Sequence, residues 1–230
     1  MKRYAQIEEK NKREIVLLQG SGCKYKQCSF CDYYLDVGGN SFELNSKVLD
    51  QVSGIYGVLE VINSGSFDEI DSKSMQKILE IAREKKIHTL IFECHYLYRN
   101  KIASLKEFFK GFEVKIKLGL ESFDYALREG LLKKGIKPSE PKEIAKNFNE
   151  ANFLIGIHSQ SEAMIRKDIE LGLEHFERIC LNVMCDNSKM KADREVIKIF
   201  LDKIYPSIKN HPRIDILLEN TDFGVGEMSE

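Results

Sequence analysis

The feature that most limits the fold is an alternation of apolar runs of strand length with amphipathic stretches of helix length. Such an alternation is typical of parallel α/β proteins. It predicts strands near Glu14–Leu18, Gly57–Ile62, Thr89–Phe92, Val114–Leu120, Phe153–Ile157 and Ile179–Met184, and a last strand at Ile214–Leu218. It predicts helices near Ser46–Ser53, Ser72–Lys85, Ser104–Gly111, Asp124–Lys133, Glu140–Asn149, Ser161–Phe176 and Asp193–Asn210. Six β–α units fall short of the eight that close a full barrel, so we expect a partial (β/α)6 TIM-like barrel with an additional C-terminal strand.

Composition and charge limit the size and the partners of the protein. Of the 230 residues, 43% are hydrophobic and 31% are charged, so we expect a single domain over residues 1–230. The 35 Lys and Arg nearly balance the 36 Asp and Glu, which gives no general attraction to nucleic acid or to an anionic membrane. No apolar run approaches the ~20 residues of a membrane span, and the charged N-terminus lacks the apolar core of a secretory signal. We therefore expect a cytoplasmic protein with no membrane partner and no stable nucleic-acid complex.

Three of the six cysteines are clustered in the sequence. Cys23, Cys28 and Cys31 lie in a loop that begins with a glycine-containing segment directly after the first predicted strand. In parallel α/β folds, the loops at the carboxyl ends of the strands carry the chemistry. Three thiolates on a four-iron cubane would leave one iron without a protein ligand, free to bind something else. The other cysteines are dispersed and are expected to be packing residues: Cys94, Cys180 and Cys185.

Two other kinds of site fit the cysteine spacing. A plant-type ferredoxin has the same C-x4-C-x2-C spacing before a distant fourth cysteine, which would make the protein an iron–sulfur electron carrier. Structural zinc held by the three cysteines and either His95 or His158 would make it a zinc-stabilised binding module. The ferredoxin spacing usually occurs in small acidic proteins, and structural zinc usually supports folds without a core of their own. An alternating α/β chain of this length fits neither of these classes well.

The cysteine triad after the first strand, with the aromatic Phe30 just before the third cysteine, resembles the radical S-adenosylmethionine superfamily. That superfamily most often has three residues between its first two cysteines, whereas this chain has four. The resemblance implies a [4Fe–4S] cluster on the three cysteines and S-adenosylmethionine as cofactor. It also implies a reductant such as flavodoxin or ferredoxin, and a barrel of the radical S-adenosylmethionine type.

The resemblance also suggests which residues hold the cofactor. A Ser-Gly-Ser segment after the second strand stands where the superfamily receives the methionyl amino group. Segment 115–135 resembles the Gly-x-Glu and downstream Arg of tRNA-modifying members, in which the Glu accepts the ribose hydroxyls and the Arg binds the methionine carboxylate. Taken singly, each of these residues also fits an ordinary turn, helix-start acid, surface arginine or core position. The cofactor-binding candidates in this chain are Phe30, Ser64, Gly65, Ser66, Glu121, Arg128 and Met184.

Polar residues at the other strand ends are candidates for substrate binding. They follow the third, fifth and last predicted strands, where a substrate would lie across the barrel mouth from the cofactor. A carboxylate that accepts from two adjacent N–H groups can recognise a guanine-like edge, and Glu93 and Asp222 could each do so. The candidates are Glu93, His95, His158, Gln160, Asn220 and Asp222.

Four segments, Ser64–Glu69, Phe92–His95, Gly119–Ser122 and Asn220–Gly226, together resemble small radical enzymes that act on 7-deazaguanine compounds. The resemblance implies a lyase that abstracts hydrogen from the substrate ribose and releases queuine from queuosine or queuosine 5′-phosphate. Other activities of the same superfamily remain open. They are a 7-carboxy-7-deazaguanine synthase-like reaction, a tRNA-modifying lyase partner and a peptide-activating enzyme.

Overall fold

The computed structural model describes residues 1–226, so that Glu227 of the predicted polar tail lies outside the described residues. Its strands are β1 Tyr4–Ile7, β2 Arg13–Leu18, β3 Val58–Asn63, β4 Thr89–Cys94, β5 Glu113–Glu121, β6 Glu150–Ile155, β7 Arg178–Val183 and β8 Ile214–Leu217. Its α-helices are α1 Ser41–Leu49, α2 Ser72–Glu84, α3 Ile102–Phe108, α4 Pro141–Ala145, α5 Glu162–His175, α6 Arg194–Lys203 and α7 Tyr205–Ile208. Short 3₁₀ helices lie at Tyr33–Leu35, Phe67–Glu69 and Tyr96–Lys101, and a π-helical segment lies at Ala126–Leu131.

The described residues divide into two compact units. The first comprises residues 1–26, 33–116 and 223–226, and the second comprises residues 27–32 and 117–222. In the first unit β1 is antiparallel to β2, while β2, β3 and β4 are parallel neighbours in chain order. In the second unit β5, β6, β7 and β8 are parallel neighbours in chain order. The expectation of a single domain over residues 1–230 stays a prediction.

Burial and capping explain why these segments form these elements. The parallel strands are rich in Ile, Leu and Val and are buried along most of their length, as strands covered on both faces are. Three of the helices between them begin at residues whose side chains accept main-chain N–H groups: Asp71 for α2, Ser161 for α5 and Asp193 for α6. No helix within residues 1–226 is both long enough and apolar enough to cross a membrane.

Charged residues near the amino ends of the strands are paired with one another. In the first unit Arg13 of β2 bonds to Glu60 of β3, and both side chains are almost completely buried. In the second unit Arg178 of β7 lies 2.7 Å from Glu150 of β6 and 3.4 Å from Asp215 of β8. Buried charges are tolerated when they are paired in this way. These buried charged side chains near the amino ends of the strands therefore have partners of opposite charge.

Strand β1 was not predicted from the sequence. Only Ala5 is buried among its four residues, because the strand lies at the edge and its neighbours face solvent or lie half-buried. Ala5 packs with Ile15 and Val225 in a small apolar cluster. The Gly226 main-chain N–H donates to the Lys2 carbonyl at 2.8 Å, so the segment 223–226 is attached to the same strand region.

Several other segments differ from their predicted bounds. Helix α1 begins at Ser41, five residues before the predicted Ser46. The predicted last helix is divided into α6 and α7, because Pro206 lies in the first turn of α7 and has no N–H to continue the earlier helix. Helix α4 ends at Ala145, and β6 begins three residues before the predicted Phe153. The stretch predicted as a regular helix near Asp124–Lys133 forms the π-helical segment instead, a conformation that is frequent at functional sites.

Candidate functional site

The cysteine segment contributes to both units of the molecule. Cys23 belongs to the first unit, whereas Cys28 and Cys31 belong to the second. All three thiols are half-buried, and none of them forms a disulfide. Within residues 1–226 no three Cys, His, Asp or Glu side chains already stand in the arrangement of a bound metal ion. Joint ligation by the three thiols therefore stays a prediction, to be judged by what surrounds each of them.

On the Cys23 side, the Glu69 carboxylate is buried among main-chain donors. Glu69 Oε1 accepts from the Lys24 main-chain N–H at 2.6 Å and from the Tyr98 hydroxyl at 2.9 Å. Glu69 Oε2 accepts from the Ser66 main-chain N–H at 2.6 Å. The Glu69 carbonyl in turn accepts from the Ser21 N–H at 2.8 Å. Glu69 thus bonds to the start of the cysteine segment and to the Ser-Gly-Ser segment.

The Ser64–Ser66 segment is held by its own side-chain contacts. The Ser64 hydroxyl donates to Asp36 Oδ2 at 3.1 Å. Arg3 and Gln19 also donate to Asp36, and although burial alone would raise the pKa of this carboxyl, these donors hold it below its usual range. The Ser66 hydroxyl accepts from the His95 main-chain N–H at 2.8 Å. The segment predicted to receive the methionyl amino group is therefore fixed in one conformation.

The residues at the carboxyl end of the third parallel strand have separate environments, and β4 extends two residues beyond its predicted end at Phe92, so that it includes Glu93 and Cys94. Glu93 lies half-buried within β4. His95 is buried, its Nδ1 accepts from the Leu97 N–H at 3.1 Å, and its ring stacks on Tyr25 with centroids 4.4 Å apart. Burial raises the pKa of Cys94 to about 12, so this thiol is neutral at physiological pH, in keeping with the packing role expected for it.

On the Cys28 and Cys31 side, Glu121 forms a buried ion pair with Lys134. Lys134 Nζ lies 2.8 Å from Glu121 Oε1 and 5.4 Å from the centroid of the Phe30 ring. Burial alone would lower the pKa of Lys134, but the negative charges of Glu121, Cys28 and Cys31 raise it above its usual range. Lys134 is therefore an ammonium ion close to two of the three thiols.

The backbone at Glu121 has an unusual conformation. Glu121 has φ +71°, in the left-handed region, and the pairing of β5 with β6 shifts register between Gly119 and Glu121. A residue other than Gly or Asn in the left-handed region is uncommon, and such residues often lie at functional sites. A Cβ at Gly119 would stand 3.0 Å from Lys134 Nζ and 3.2 Å from Glu121 Oε1, so the ion pair closes over a position without a side chain.

Arg128 has a different environment from the one expected for a ligand of a free carboxylate. Its guanidinium is fully buried, and burial lowers its pKa. It donates to four main-chain carbonyls, at distances of 2.6 to 3.2 Å, and to one side chain. These acceptors are Ser122 O, Phe123 O, Ile136 O, Pro138 O and Glu129 Oε1. The contacts give Arg128 a structural role on both sides of the π-helical segment, and its binding of a methionine carboxylate stays a prediction.

Main-chain contacts fix the Cys28–Cys31 stretch within the second unit. The Ser29 N–H and hydroxyl donate to the carbonyls of Leu132 and Leu131 at 3.1 and 2.6 Å. The Asn187 side chain donates to the Phe30 carbonyl at 2.7 Å. The Phe30 ring packs against an apolar cluster that includes Met184, which is 4% exposed. The two residues expected near the cofactor are thus part of one packed surface.

Three of the four remaining substrate-binding candidates make local contacts: Gln160, His158 and Asp222. Gln160 is buried, its Oε1 accepts from the Gly156 N–H at 3.0 Å, and its Nε2 donates to the Leu154 carbonyl at 3.0 Å. His158 is exposed and pairs with Asp193 at 3.2 Å. Asn220 is exposed, and Asp222 Oδ2 accepts from the Leu218 and Glu219 N–H groups at 2.6 and 2.9 Å. Their contact with a substrate stays a prediction.

Three residues important to this geometry were not identified from the sequence: Glu69, Lys134 and Asp168. Asp168 of α5 accepts from the Phe123 N–H at 2.7 Å and from the Ser122 hydroxyl at 2.8 Å. These two donors directly follow Glu121 in the sequence. Burial raises its pKa to about 7. Glu69 is the last residue of the segment Ser64–Glu69, in which only the two serines and the glycine were identified as candidates. Nothing in the sequence separates the buried Lys134 from the exposed Lys133 beside it.

Solved structures match most of the chain. No protein-family model matches the sequence, and no curated protein does. Among solved structures, a queuine lyase from Clostridium spiroforme bound to SAM and queuine is 43% identical, with a TM-score of 0.94 over 99% of this chain and 100% of that one. Streptococcus suis SuiB is 16% identical, with a TM-score of 0.56 over 91% of this chain and 50% of that one, a likeness that shows the fold alone.

Proposed function

This chain belongs to the queuine lyase family of radical S-adenosylmethionine enzymes, and from this premise we propose that it releases queuine from queuosine or queuosine 5′-phosphate. The observation that carries the proposal is the full-length similarity at 43% identity and a TM-score of 0.94. The same similarity confirms the predicted fold class, a partial TIM-like barrel of the radical S-adenosylmethionine type with an additional C-terminal strand. An isolated electron carrier or a zinc-stabilised module does not account for a likeness of this extent.

The donor set of the cysteine segment fits an iron–sulfur cluster. Cys23, Cys28 and Cys31 are half-buried and close in sequence, and none of them forms a disulfide. The ammonium of Lys134 near Cys28 and Cys31 suits thiolates, because a nearby positive charge favours the ionised form. Held by these three cysteines, a [4Fe–4S] cluster with S-adenosylmethionine would supply the 5′-deoxyadenosyl radical chemistry that removes a hydrogen atom from the substrate ribose.

The chain's own residues bind and orient the reactants in this proposal. The Ser64–Ser66 segment accepts the methionyl ammonium group through main-chain and hydroxyl oxygens. The Glu121 carboxylate accepts the ribose hydroxyls, with Lys134 holding it in place. Arg128 binds the methionine carboxylate or fixes the backbone beside Glu121, and Phe30 and Met184 provide apolar contacts to the adenosyl group.

The residues proposed for the substrate are those that the sequence suggested. Glu93 and Asp222 recognise the amidine edge of the deazaguanine base, and His95, His158, Gln160 and Asn220 provide further polar contacts. An external low-potential reductant, such as flavodoxin or ferredoxin, supplies the electron. We also place the protein in the cytoplasm, where its six thiols would remain reduced.

A direct assay tests the proposal. The protein is purified without oxygen, reconstituted, and analysed for iron, sulfide and zinc. It is then incubated with dithionite, S-adenosylmethionine and either queuosine or queuosine 5′-phosphate, with guanosine as the control. We expect four irons per chain. We also expect 5′-deoxyadenosine and queuine to form together with queuosine or with queuosine 5′-phosphate, and neither product to form with guanosine. Bound zinc without iron, or 5′-deoxyadenosine formed without queuine, would contradict the proposal.

A further inference from the structure

The carboxylate of Glu69 accepts hydrogen bonds from the loop that follows Cys23, from the Ser64–Ser66 segment packed against Cys23 and from Tyr98. It is 6% exposed and receives three hydrogen bonds of 2.6 to 2.9 Å. All three donors are neutral: the main-chain N–H groups of Lys24 and Ser66 and the hydroxyl of Tyr98. A carboxylate offers two oxygens and up to four acceptor positions, so it can hold several donors at once.

The donors come from three different parts of the first unit. Lys24 directly follows Cys23, Ser66 ends the Ser-Gly-Ser segment, and Tyr98 lies in the 3₁₀ helix after β4. These parts are not consecutive in the sequence. The carboxylate therefore holds the position of one loop relative to the next.

The glycine between the two serines shows how closely these parts approach. A Cβ at Gly65 would overlap Glu69 Oε2 and would stand 3.2 Å from the Cα of Cys23. The Cys23 backbone thus lies against Gly65 with no room for a side chain between them. The main-chain bond from the Ser21 N–H to the Glu69 carbonyl brings the preceding turn to the same residue.

We propose that Glu69 is a positioning residue that sets the Cys23 thiol and the Ser64–Ser66 segment in a fixed relation to each other. The proposal rests on the proposed function, in which Cys23 ligates the cluster and the segment receives the methionyl group. Because the cofactor must contact both the cluster and this segment, an error in their spacing weakens cofactor binding. Glu69 itself contacts neither reactant.

The test compares Glu69→Gln with Asp68→Asn. Both changes remove one negative charge, but Asp68 lies at the surface in an ion pair with Lys101. The glutamine amide has only one acceptor oxygen and places an NH₂ group against a main-chain N–H. We expect Glu69→Gln to retain iron and sulfide but to bind S-adenosylmethionine about ten- to a hundredfold more weakly, the loss that one charged hydrogen bond brings. Asp68→Asn should bind it as the unmodified protein does.

Two readouts separate a positioning role from general destabilisation. The electron paramagnetic resonance spectrum of the reduced cluster should change less on addition of S-adenosylmethionine in Glu69→Gln than in Asp68→Asn. In the apoprotein, iodoacetamide should alkylate Cys23 several-fold faster in Glu69→Gln, while the rate at Cys180 stays unchanged. Equal cofactor affinity and equal alkylation of Cys23 in both variants would overturn the proposal.

The alkylation measurement needs neither cluster nor substrate. If the unmodified protein assembles no cluster, the proposed function fails, yet the alkylation rates still decide whether Glu69 positions Cys23. If the protein releases queuine normally and Glu69→Gln matches Asp68→Asn in all measurements, only the role of Glu69 is refuted.

Discussion

The surroundings of Cys23 and those of Cys28 and Cys31 differ in how they use charge. Near Cys23, in the first unit, a carboxylate is held by neutral donors. Near Cys28 and Cys31, in the second unit, an ammonium is paired with a carboxylate. The Glu69 carboxylate fixes geometry, because two of its three donors are main-chain N–H groups. An ammonium ion adjusts electrostatics as well, because its charge acts on the thiols near it. The two kinds of contact can therefore be separated by substitution.

The largest expected effect comes from the cysteines themselves. Replacing Cys23, Cys28 or Cys31 by Ala should abolish cluster-dependent turnover, because each provides one ligand of the same cluster. Cys180→Ala is the control, since this thiol is buried and should cost about 1 kcal/mol or less through packing. Iron analysis measures the cluster content, and the release of 5′-deoxyadenosine measures the turnover, of each variant and of the control. If one of the three variants keeps full iron and turnover, that residue does not belong to the site.

The second prediction concerns the buried ion pair. Lys134→Met leaves the Glu121 carboxylate buried without its partner, which should lower the free energy of unfolding by about 3–5 kcal/mol. The matched control is Lys133→Met, an identical change at the exposed neighbouring position. Urea denaturation of the apoproteins measures the difference. Equal stability of the two variants would show that the pair contributes nothing to folding, and the contrast with Glu69 would then lose its basis.

The third prediction separates Glu121 from Arg128. Glu121→Gln and Arg128→Ala should each weaken S-adenosylmethionine binding about tenfold to a hundredfold while retaining the cluster. Glu121→Gln removes a charge-assisted bond of about 1.5–3 kcal/mol, and Arg128→Ala removes the donor that holds the Ser122 and Phe123 backbone beside Glu121. Arg128→Ala should also lower the thermal unfolding midpoint, because it leaves four carbonyls without their donor. Arg166→Ala, on the exposed face of α5, serves as control. Unchanged cofactor affinity in both variants would show that the binding motif is placed wrongly.

The smallest effect is a pH dependence from Asp168. Burial raises the pKa of this carboxyl to about 7, above the ~3.9 of an unfolded chain. The folded state then binds more protons than the unfolded state between these values, so the free energy of unfolding falls by about 2 kcal/mol from pH 5 to pH 7. Urea denaturation of the apoprotein and of Asp168→Asn across this range should show a slope that the variant lacks. Parallel curves would contradict the raised pKa.

Sequence-based prediction was more accurate for the buried strands than for the edge strand and the π-helical segment. The strands from β2 to β5 were predicted within two residues at each end, because a strand covered on both faces reads as a continuous apolar run. The edge strand β1 was missed because burial of Ala5 alone leaves no such run. The π-helical segment was read as a regular helix because its pattern of apolar residues is similar.

The parts of the site that residue type and spacing alone identify could be predicted from the sequence. The cysteine triad and the acid at the end of β5 were recognised in this way. Glu69 and Lys134 were not, because the sequence does not reveal which acid or lysine leaves water. Their burial depends on contacts with residues distant along the chain, such as Tyr98 for Glu69 and Glu121 for Lys134. Tertiary structure decides their ionic partners.

The bond between Lys2 and Gly226, together with the packing of Ala5 against Val225, has a consequence for synthesis on the ribosome. Every residue of the second unit has been translated once Asp222 is added, whereas the first unit still lacks the segment that covers β1. The unit that begins first is therefore completed last. Contacts between residues so far apart in sequence form slowly, and the exposed apolar side chains of Ala5 and Ile15 must wait for Val225 during that interval.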